Sequence, residues 1–415
     1  MKTIEIECKT FINRMNDGYF AMRYLPFRFT GNIYRGCTHG CVYCYAACTH
    51  HYMKASPNDF SKIVFVKINS PEIFEKELRK YNDVKKKKSV IIIGNISDVY
   101  QPIEIKYRLT RKMLKLCLEY HFPCFIETKS SLILEDLDII EELADKDLIG
   151  IGMTVTSYDN EFTKLVEPFI PKLKYIHCEI IQKERILTLK KLSSIGVDTY
   201  LHITPYFPEI TDRDIEKIIS DASDANVGNV IMAPLELSSY IWDCFSKSLM
   251  KNDRFANLSP IYEELYFEKG RKLGGRISTS DSEHYSLEKK VSSLCKKYDI
   301  GYWAFTNPQF NTAKISGAYK LRYPILIDYW NLAKEMKEIT YKDAVELANN
   351  FPIDNRYLKT LREYWIKGKL FEGIYGIKKI DTGDEPYYIY NEKNQMSDNV
   401  LKHNSLLNLQ RREKK

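Results

Sequence analysis

No uninterrupted apolar run in this 415-residue chain is long enough to cross a bilayer. No charged-then-apolar leader opens it either. Cys8, Cys48, Cys117, Cys124, Cys178, Cys244 and Cys295 are scattered, without the spacing of a disulfide framework. These absences predict a cytoplasmic protein with no membrane partner. The seven cysteines also form no second local group, so no auxiliary metal site is expected in the C-terminal part. Charge imbalance is small: 62 basic against 55 acidic residues give +7. That value permits a polyanionic partner without demanding one. Hydrophobic residues at 44% and charged residues at 28% suit a globular chain long enough for two domains, or for one large domain with an appendage.

The remaining three cysteines stand together. Gly31-Asn32-Ile33-Tyr34-Arg35-Gly36-Cys37-Thr38-His39-Gly40-Cys41-Val42-Tyr43-Cys44-Tyr45 places Cys37, Cys41 and Cys44 in a C-x3-C-x2-C pattern. Thiolates are soft ligands, and three in one short loop suit zinc or an iron–sulfur cluster. Zinc would need a fourth ligand, which Cys48, His39, His50 or His51 would have to provide. A [4Fe–4S] cube held by three thiolates instead keeps one iron open. Gly36 and Gly40 let the backbone wrap tightly around a bulky core.

Downstream, short Val/Ile-rich runs alternate with helical periodicity. Strands are predicted at 89–94, 124–127, 148–155, 197–203, 227–232 and 300–305. Helices are predicted at 71–80, 104–121, 132–144, 183–194 and 215–222. Continuous apolar strands between helices describe a parallel sheet buried on both faces. Polar residues follow each strand at once: Asn95, Ser97 and Asp98; Thr128-Lys129-Ser130; Thr156-Ser157; Thr204-Pro205-Tyr206. Function in such folds gathers at the carboxyl ends of the strands. The expected fold class is therefore α/β, a TIM-like partial barrel.

The cysteine spacing with Tyr43 before the last cysteine resembles the radical S-adenosylmethionine (SAM) superfamily. Asn32 to Cys37, His39-Gly40-Cys41, Tyr43-Cys44-Tyr45, Asp98 to Glu104, Glu127 to Ser130, Glu167-Pro168 and Pro205 to Asp212 resemble its spore photoproduct lyase-like branch. This resemblance covers residues 28–240. It implies a partial (β/α)6 barrel, a [4Fe–4S] cluster on Cys37, Cys41 and Cys44, and SAM on the open iron. It also implies reductive cleavage of SAM to a 5′-deoxyadenosyl radical that abstracts hydrogen, with an electron donor such as flavodoxin or ferredoxin. By the same resemblance Lys129 and the hydroxyls of Thr154 or Thr156 contact SAM, with Asn95 and Ser97 near its amino group. Tyr43 and Tyr45 match tyrosines that relay hydrogen in that lyase, and Tyr100 is a further candidate. The lyase's hydrogen-returning cysteine has no counterpart here around Tyr81 to Ser89. Glu104 and Glu127, at strand ends, can orient substrate or be salt-bridged rim residues; Arg185 is expected to pair with Glu167 or Glu184.

The C-terminal third reads differently. Helices at 325–337, at 340–349 capped by Thr340, and at 356–367 capped by Asp354 or Asn355 precede two strands at 375–380 and 387–390. That order predicts a winged-helix-like domain over 321–395, after a barrel domain over 1–320 and before a basic tail over 396–415. The third helix carries Arg356, Lys359, Arg362 and Lys367 beside Tyr357, Tyr364 and Trp365. Basic residues with exposed aromatics would contact nucleic acid, for DNA repair or base modification; the alternatives are modification of a peptide, protein or small metabolite recruited by the same domain, and a non-enzymatic iron–sulfur regulator that binds nucleic acid.

Overall fold

The computed structural model describes residues 1–15, 19–81, 88–170, 178–273, 275–383 and 385–392. The lysine run at 85–88 falls mostly outside these residues, as do most of the Tyr81–Ser89 region and the whole basic tail. The described chain forms two compact units: Met1–Arg14 with Phe29–Trp303 and Thr312–Leu321, and Met15–Arg28 with Ala304–Asn311 and Arg322–Lys415.

In chain order the first unit contains β1 (Lys2–Ile6), β2 (Asn13–Arg14), β3 (Phe29–Gly31), β4 (Tyr34–Arg35), β5 (Ile63–Lys67), β6 (Ile91–Ile93), β7 (Cys124–Thr128), β8 (Ile149–Thr154), β9 (Asp198–Tyr206), β10 (Asn229–Pro234), β11 (Arg271–Leu273), β12 (Arg276–Ser278) and β13 (Gly301–Trp303). Its main sheet runs β2-β3-β6-β7-β8-β9-β10-β13. Every pairing from β3 to β13 is parallel, and only the edge strand β2 is antiparallel. The sheet thus has seven parallel strands, one more than a (β/α)6 barrel. A second sheet, β1-β5-β4, leads into the cysteine loop.

The six predicted strands are present. Two predicted helices are broken. The first splits at Arg108, whose φ is +51°, into Glu104–Tyr107 and Leu109–Glu119. The second begins as a 3-10 turn, Ser131–Asp136, before the helix Leu137–Ala144. Residues 239–278, for which the sequence makes no prediction, form helices, beginning with Ser239–Leu249, and the β11–β12 hairpin.

Alternation along β8 explains its two glycines. Ile149, Ile151 and Met153 occupy one face, and Gly150, Gly152 and Thr154 the other. A Cβ on Gly150 would lie 2.7 Å from Cδ2 of Phe125, and one on Gly152 would lie 2.5 Å from Nε2 of His202. The glycines make room for these two rings, which stack at 12°. Phe125, Tyr200, Trp303 and Tyr319 interlock with centroids 4.8–6.2 Å apart. This aromatic layer lies below a polar layer of Glu127, His202 and Lys129, nearer the strands' carboxyl ends.

The second unit has helices Leu326–Met336, Tyr341–Asn349 and Asn355–Ile366 with strands β14 (Glu338–Ile339), β15 (Ile377–Ile380) and β16 (Tyr387–Tyr390), in sheet order β14-β16-β15. Thr340 and Asp343 cap the second helix reciprocally, and Asp354 caps the third through the Tyr357 amide at 3.0 Å. Tyr357, Tyr364 and Trp365 are not exposed; they belong to the hydrophobic core with Tyr329, Trp330, Leu361, Phe371 and Tyr388. Together with Leu361 they form one apolar helix stripe. The outward side of that helix carries Arg356, Lys359 and Arg362 together with Asn355, Glu363 and Ile366, and Lys367 follows at its end.

Overpacking by one methyl costs about 1–3 kcal/mol. Gly150→Ala is therefore expected to lower the melting temperature through its clash with Phe125. An unchanged melting temperature would show that this inner face is not close-packed.

Candidate functional site

The cysteine loop hangs between β4 and the 3-10 helix Tyr45–Met53. Its stem is fixed by an amide bond from Cys37 to the Phe60 carbonyl at 2.9 Å. Gly36 has φ +94°, and a Cβ there would stand 2.3 Å from the Ile63 carbonyl oxygen. Gln101 clamps the loop from the end of β6: its Oε1 accepts from the Thr38 amide at 3.0 Å, and its Nε2 donates to the Gly36 carbonyl at 3.2 Å. On the other side the Val42 amide bonds to the Val166 carbonyl and the Phe169 amide to the His39 carbonyl. Three separate segments, at Phe60, Gln101 and Val166–Phe169, thus hold one short loop.

Asp98 organises the strand-end polar residues. Its Oδ1 accepts from Thr128 Oγ1 at 2.7 Å and from the Tyr100 amide at 2.9 Å, and its Oδ2 accepts from the Lys129 amide at 2.8 Å. His39 Nδ1 lies 3.4 Å from the same carboxylate. Asn95 is tied to Asn32 at 3.0 Å, and its carbonyl accepts from the Tyr45 hydroxyl.

Behind the loop lies a buried chain of charge. The Tyr43 hydroxyl donates to Glu167, and Arg185 donates both to Glu167 and, at 2.7 Å, to the Thr154 carbonyl at the end of β8. Arg185 pairs with Glu167 rather than Glu184, which accepts instead from Ser131. Burial opposes the Glu167 carboxylate, yet Arg185 and Lys129 outweigh it and hold it below the ordinary carboxylate range. Lys129 Nζ stands 5.8 Å from the centre of the Tyr43 ring. Burial works against its charge, but the field of Cys41 and Glu167 raises it above the usual lysine value.

The three thiols interact electrostatically with one another. Burial pushes Cys37 up to about 12 and raises Cys41 and Cys44, so without a cation they stay protonated. Thiols in this state ionise on binding metal, which supplies the missing positive charge. Thr38 Oγ1 and His39 Nε2, within the loop, are buried without hydrogen-bond partners among the described residues. Among those residues no three side chains converge as ligands of one ion must. A cube spreads its ligands over three irons and does not require such convergence. Of the side chains zinc would draw on, Cys48 is turned to the Tyr45 carbonyl and His51 to the Cys48 carbonyl, whereas His50 is held to the Ser56 carbonyl through Nδ1 alone, and Nε2 of both His39 and His50 has no partner among the described residues. Three thiols in one loop fit a cluster that takes one ligand per iron.

The predicted residues separate into two groups. Cys37, Cys41, Cys44, Tyr43 and Lys129 come together, with Thr154 joined to them through Arg185. Ser97 is turned to the Tyr34 carbonyl at 2.9 Å, and Thr156 is enclosed by Gln182 and Thr211. The Tyr100 hydroxyl is buried against Asp136 at 3.0 Å, on the side of Arg108 and Arg111. Glu104 is also buried, accepting from Tyr34 and Thr110. Glu127 faces His202 at 3.8 Å. Burial lowers that imidazole to about 3, leaving it neutral. His202 and Gln101 are the residues least visible beforehand. His202 has one usable signal, Gly152 on the inner face of β8, which leaves room for its ring although its register partner is Thr154.

Comparison with known proteins places this geometry among its relatives. Residues 32–222 match the family model described as the radical SAM superfamily. An uncharacterised protein of Mycobacterium tuberculosis is 27% identical over 299 residues, covering 71% of this chain and 81% of the relative. An uncharacterised protein of Methanocaldococcus jannaschii is 32% identical over 193 residues, covering 46% of this chain and 64% of the relative. A spore photoproduct lyase mutant with bound AdoMet and dinucleoside spore photoproduct shares the fold, with TM-score 0.55, 13% identity, and coverage of 73% of this chain and 81% of that one.

Removing one partner of a buried ion pair costs about 3–5 kcal/mol. Glu167→Gln is expected to destabilise the protein on that scale in denaturant titration, because Arg185 would be left uncompensated. A change below about 1 kcal/mol would show that the pair is dispensable.

Proposed function

We infer that this chain, an enzyme carrying a radical SAM superfamily domain over residues 32–222, holds a [4Fe–4S] cluster on Cys37, Cys41 and Cys44 and cleaves SAM beside it to act on a nucleic acid. The observation that carries the reading is the loop of Cys37, Cys41 and Cys44 with the Lys129 ammonium, at the carboxyl end of β7, 5.8 Å from the ring of Tyr43 within it. Bound there, the cluster and SAM supply an electron and a 5′-deoxyadenosyl radical for hydrogen abstraction. Lys129 offers its charge to the SAM carboxylate. Tyr43, pinned by Glu167, fixes the ring beside the last cysteine. Tyr45 braces the loop against Asn95 and stands at the exposed rim, where a substrate can meet it. Cys37 is buried and Cys41 and Cys44 are half-buried, which would limit the access of water to a cluster held there. A flavodoxin- or ferredoxin-type donor would provide the electron, and the expected setting is the cytoplasm. Among the described residues no helix is long and apolar enough to cross a membrane.

The substrate class rests on the second unit. Its order of helix, short strand, two helices and hairpin is that expected of a winged helix, and the outward side of the third helix carries Arg356, Lys359 and Arg362, while Lys367 pairs with Glu363 at 2.6 Å. That surface suits phosphates, whereas the buried aromatics leave no stacking platform on it.

Two experiments test the reading. Protein purified without oxygen, reconstituted with iron and sulfide and given dithionite and SAM is expected to release 5′-deoxyadenosine; Cys41→Ala is expected to release none. Lys129→Met should raise the apparent KM for SAM about 10–100-fold with the cluster intact, the scale of one charged hydrogen bond. Absence of cleavage by a protein with a full, reducible cluster would overturn the enzyme reading. DNA binding is expected to weaken steeply between low and physiological salt, and further in Arg356→Ala/Lys359→Ala. Salt-independent or undetectable binding would redirect the substrate search to peptides.

A further inference from the structure

We propose that Arg35 and Lys67 form a binding site for a phosphate group on the face of the three-stranded sheet that carries Phe65. The register places them there. In the antiparallel β4–β5 pair Arg35 lies opposite Phe65, and the amide of Lys67 bonds to the Ile33 carbonyl. Alternation along β5 puts Phe65 and Lys67 on one face, diagonal to Arg35 and within reach of two long side chains. In the parallel β1–β5 pair Ile4 and Ile6 stand beside Phe65 and Lys67, with Lys2 beside Ile63 farther along the same face and the His50 ring packed on Phe65.

Lys67 is only 9% exposed, and Arg35 is half-buried, with its Nη1 fully buried and without an acceptor among the described residues. The Tyr52 ring covers the guanidinium at 5.7 Å. Among the described residues neither charged group makes an ion pair. Three fully buried arginines of the described chain are matched. Arg185 is matched by Glu167, Arg322 by Asp328 at 2.5 Å, and Arg28 donates to two backbone carbonyls. Two adjacent like charges in a low-dielectric setting, without a counterion, are strongly unfavourable. Depression of the Lys67 ammonium by burial and by Arg35 reflects the same conflict.

An anion resolves it. A planar guanidinium fork beside a point-like ammonium matches the oxygens of a phosphate. The dianion balances both charges, whereas one carboxylate would leave a surplus. The site lies at the stem of the cysteine loop, since Gly36 and Cys37 directly follow Arg35. A phosphate held there would fix the entry of that loop. Its source can be free phosphate or the terminal phosphate of a nucleotide.

Calorimetry on the full chain, in phosphate-free buffer and without SAM or reductant, tests this independently of radical chemistry. Inorganic phosphate is expected to bind saturably, and acetate at least about tenfold more weakly. Lys67→Met and Arg35→Met are each expected to weaken phosphate binding about tenfold or more, and Lys67→Arg to retain it. Lys67→Arg against Lys67→Met decides the matter even if Arg35→Met fails to fold. Thymidine 5′-monophosphate binding more tightly than inorganic phosphate would identify a nucleotide as the source; equal or weaker binding would identify free phosphate. No saturable phosphate binding by the wild type, or binding unchanged by Lys67→Met, would overturn the proposal.

Discussion

The buried pair of Arg185 and Glu167 is the constraint on which the candidate site depends. Arg185 leaves the helix Lys183–Ser194, reaches the Thr154 carbonyl where β8 ends, and meets the carboxylate that also receives the Tyr43 hydroxyl. Helix, strand end and cysteine loop are locked by one guanidinium and one carboxylate. Such a pair is not a cheap source of stability, because desolvating both ions offsets much of their attraction. What it provides is geometry. The ring beside Cys44 is fixed, Lys129 lies close to that ring, and the three thiols sit in one short loop clamped by Gln101.

Asp98 plays the matching role on the open side. One carboxylate orders Thr128, the Lys129 amide, the Tyr100 amide and His39. The β6 and β7 ends therefore act as a unit, as expected where function gathers at the carboxyl ends of a parallel sheet. Below them, aromatic rings fill the inner face, and two glycines of β8 create the space for Phe125 and His202. Polar chemistry sits above a dry, packed layer.

Much of this was legible because local pattern dictates it. The strands read as apolar runs since both of their faces are buried, and the cysteine spacing marks the loop without further context. Capping residues Thr340 and Asp354 also act within three residues of themselves. What was not legible is long-range. Tyr43 meets Glu167 across 124 residues, and nothing near Tyr43 announces it. Tyr100 sits at a strand end like the functional residues, yet turns to Asp136 in the core. Tyr357, Tyr364 and Trp365 were expected outside although their spacing with Leu361 is that of a core stripe; basic neighbours masked the period. Arg35 and Lys67 are ordinary in sequence, and only the register of β4 against β5 brings them onto one face.

The central claim is that Cys37, Cys41 and Cys44 hold a cube whose fourth iron takes SAM. Electron paramagnetic resonance of the reduced, reconstituted protein, recorded with and without SAM, tests it most directly. The account predicts a [4Fe–4S]+ signal that changes shape when SAM is added and is lost in Cys41→Ala. A signal indifferent to SAM, or stoichiometric zinc with no cluster after reconstitution, would contradict it.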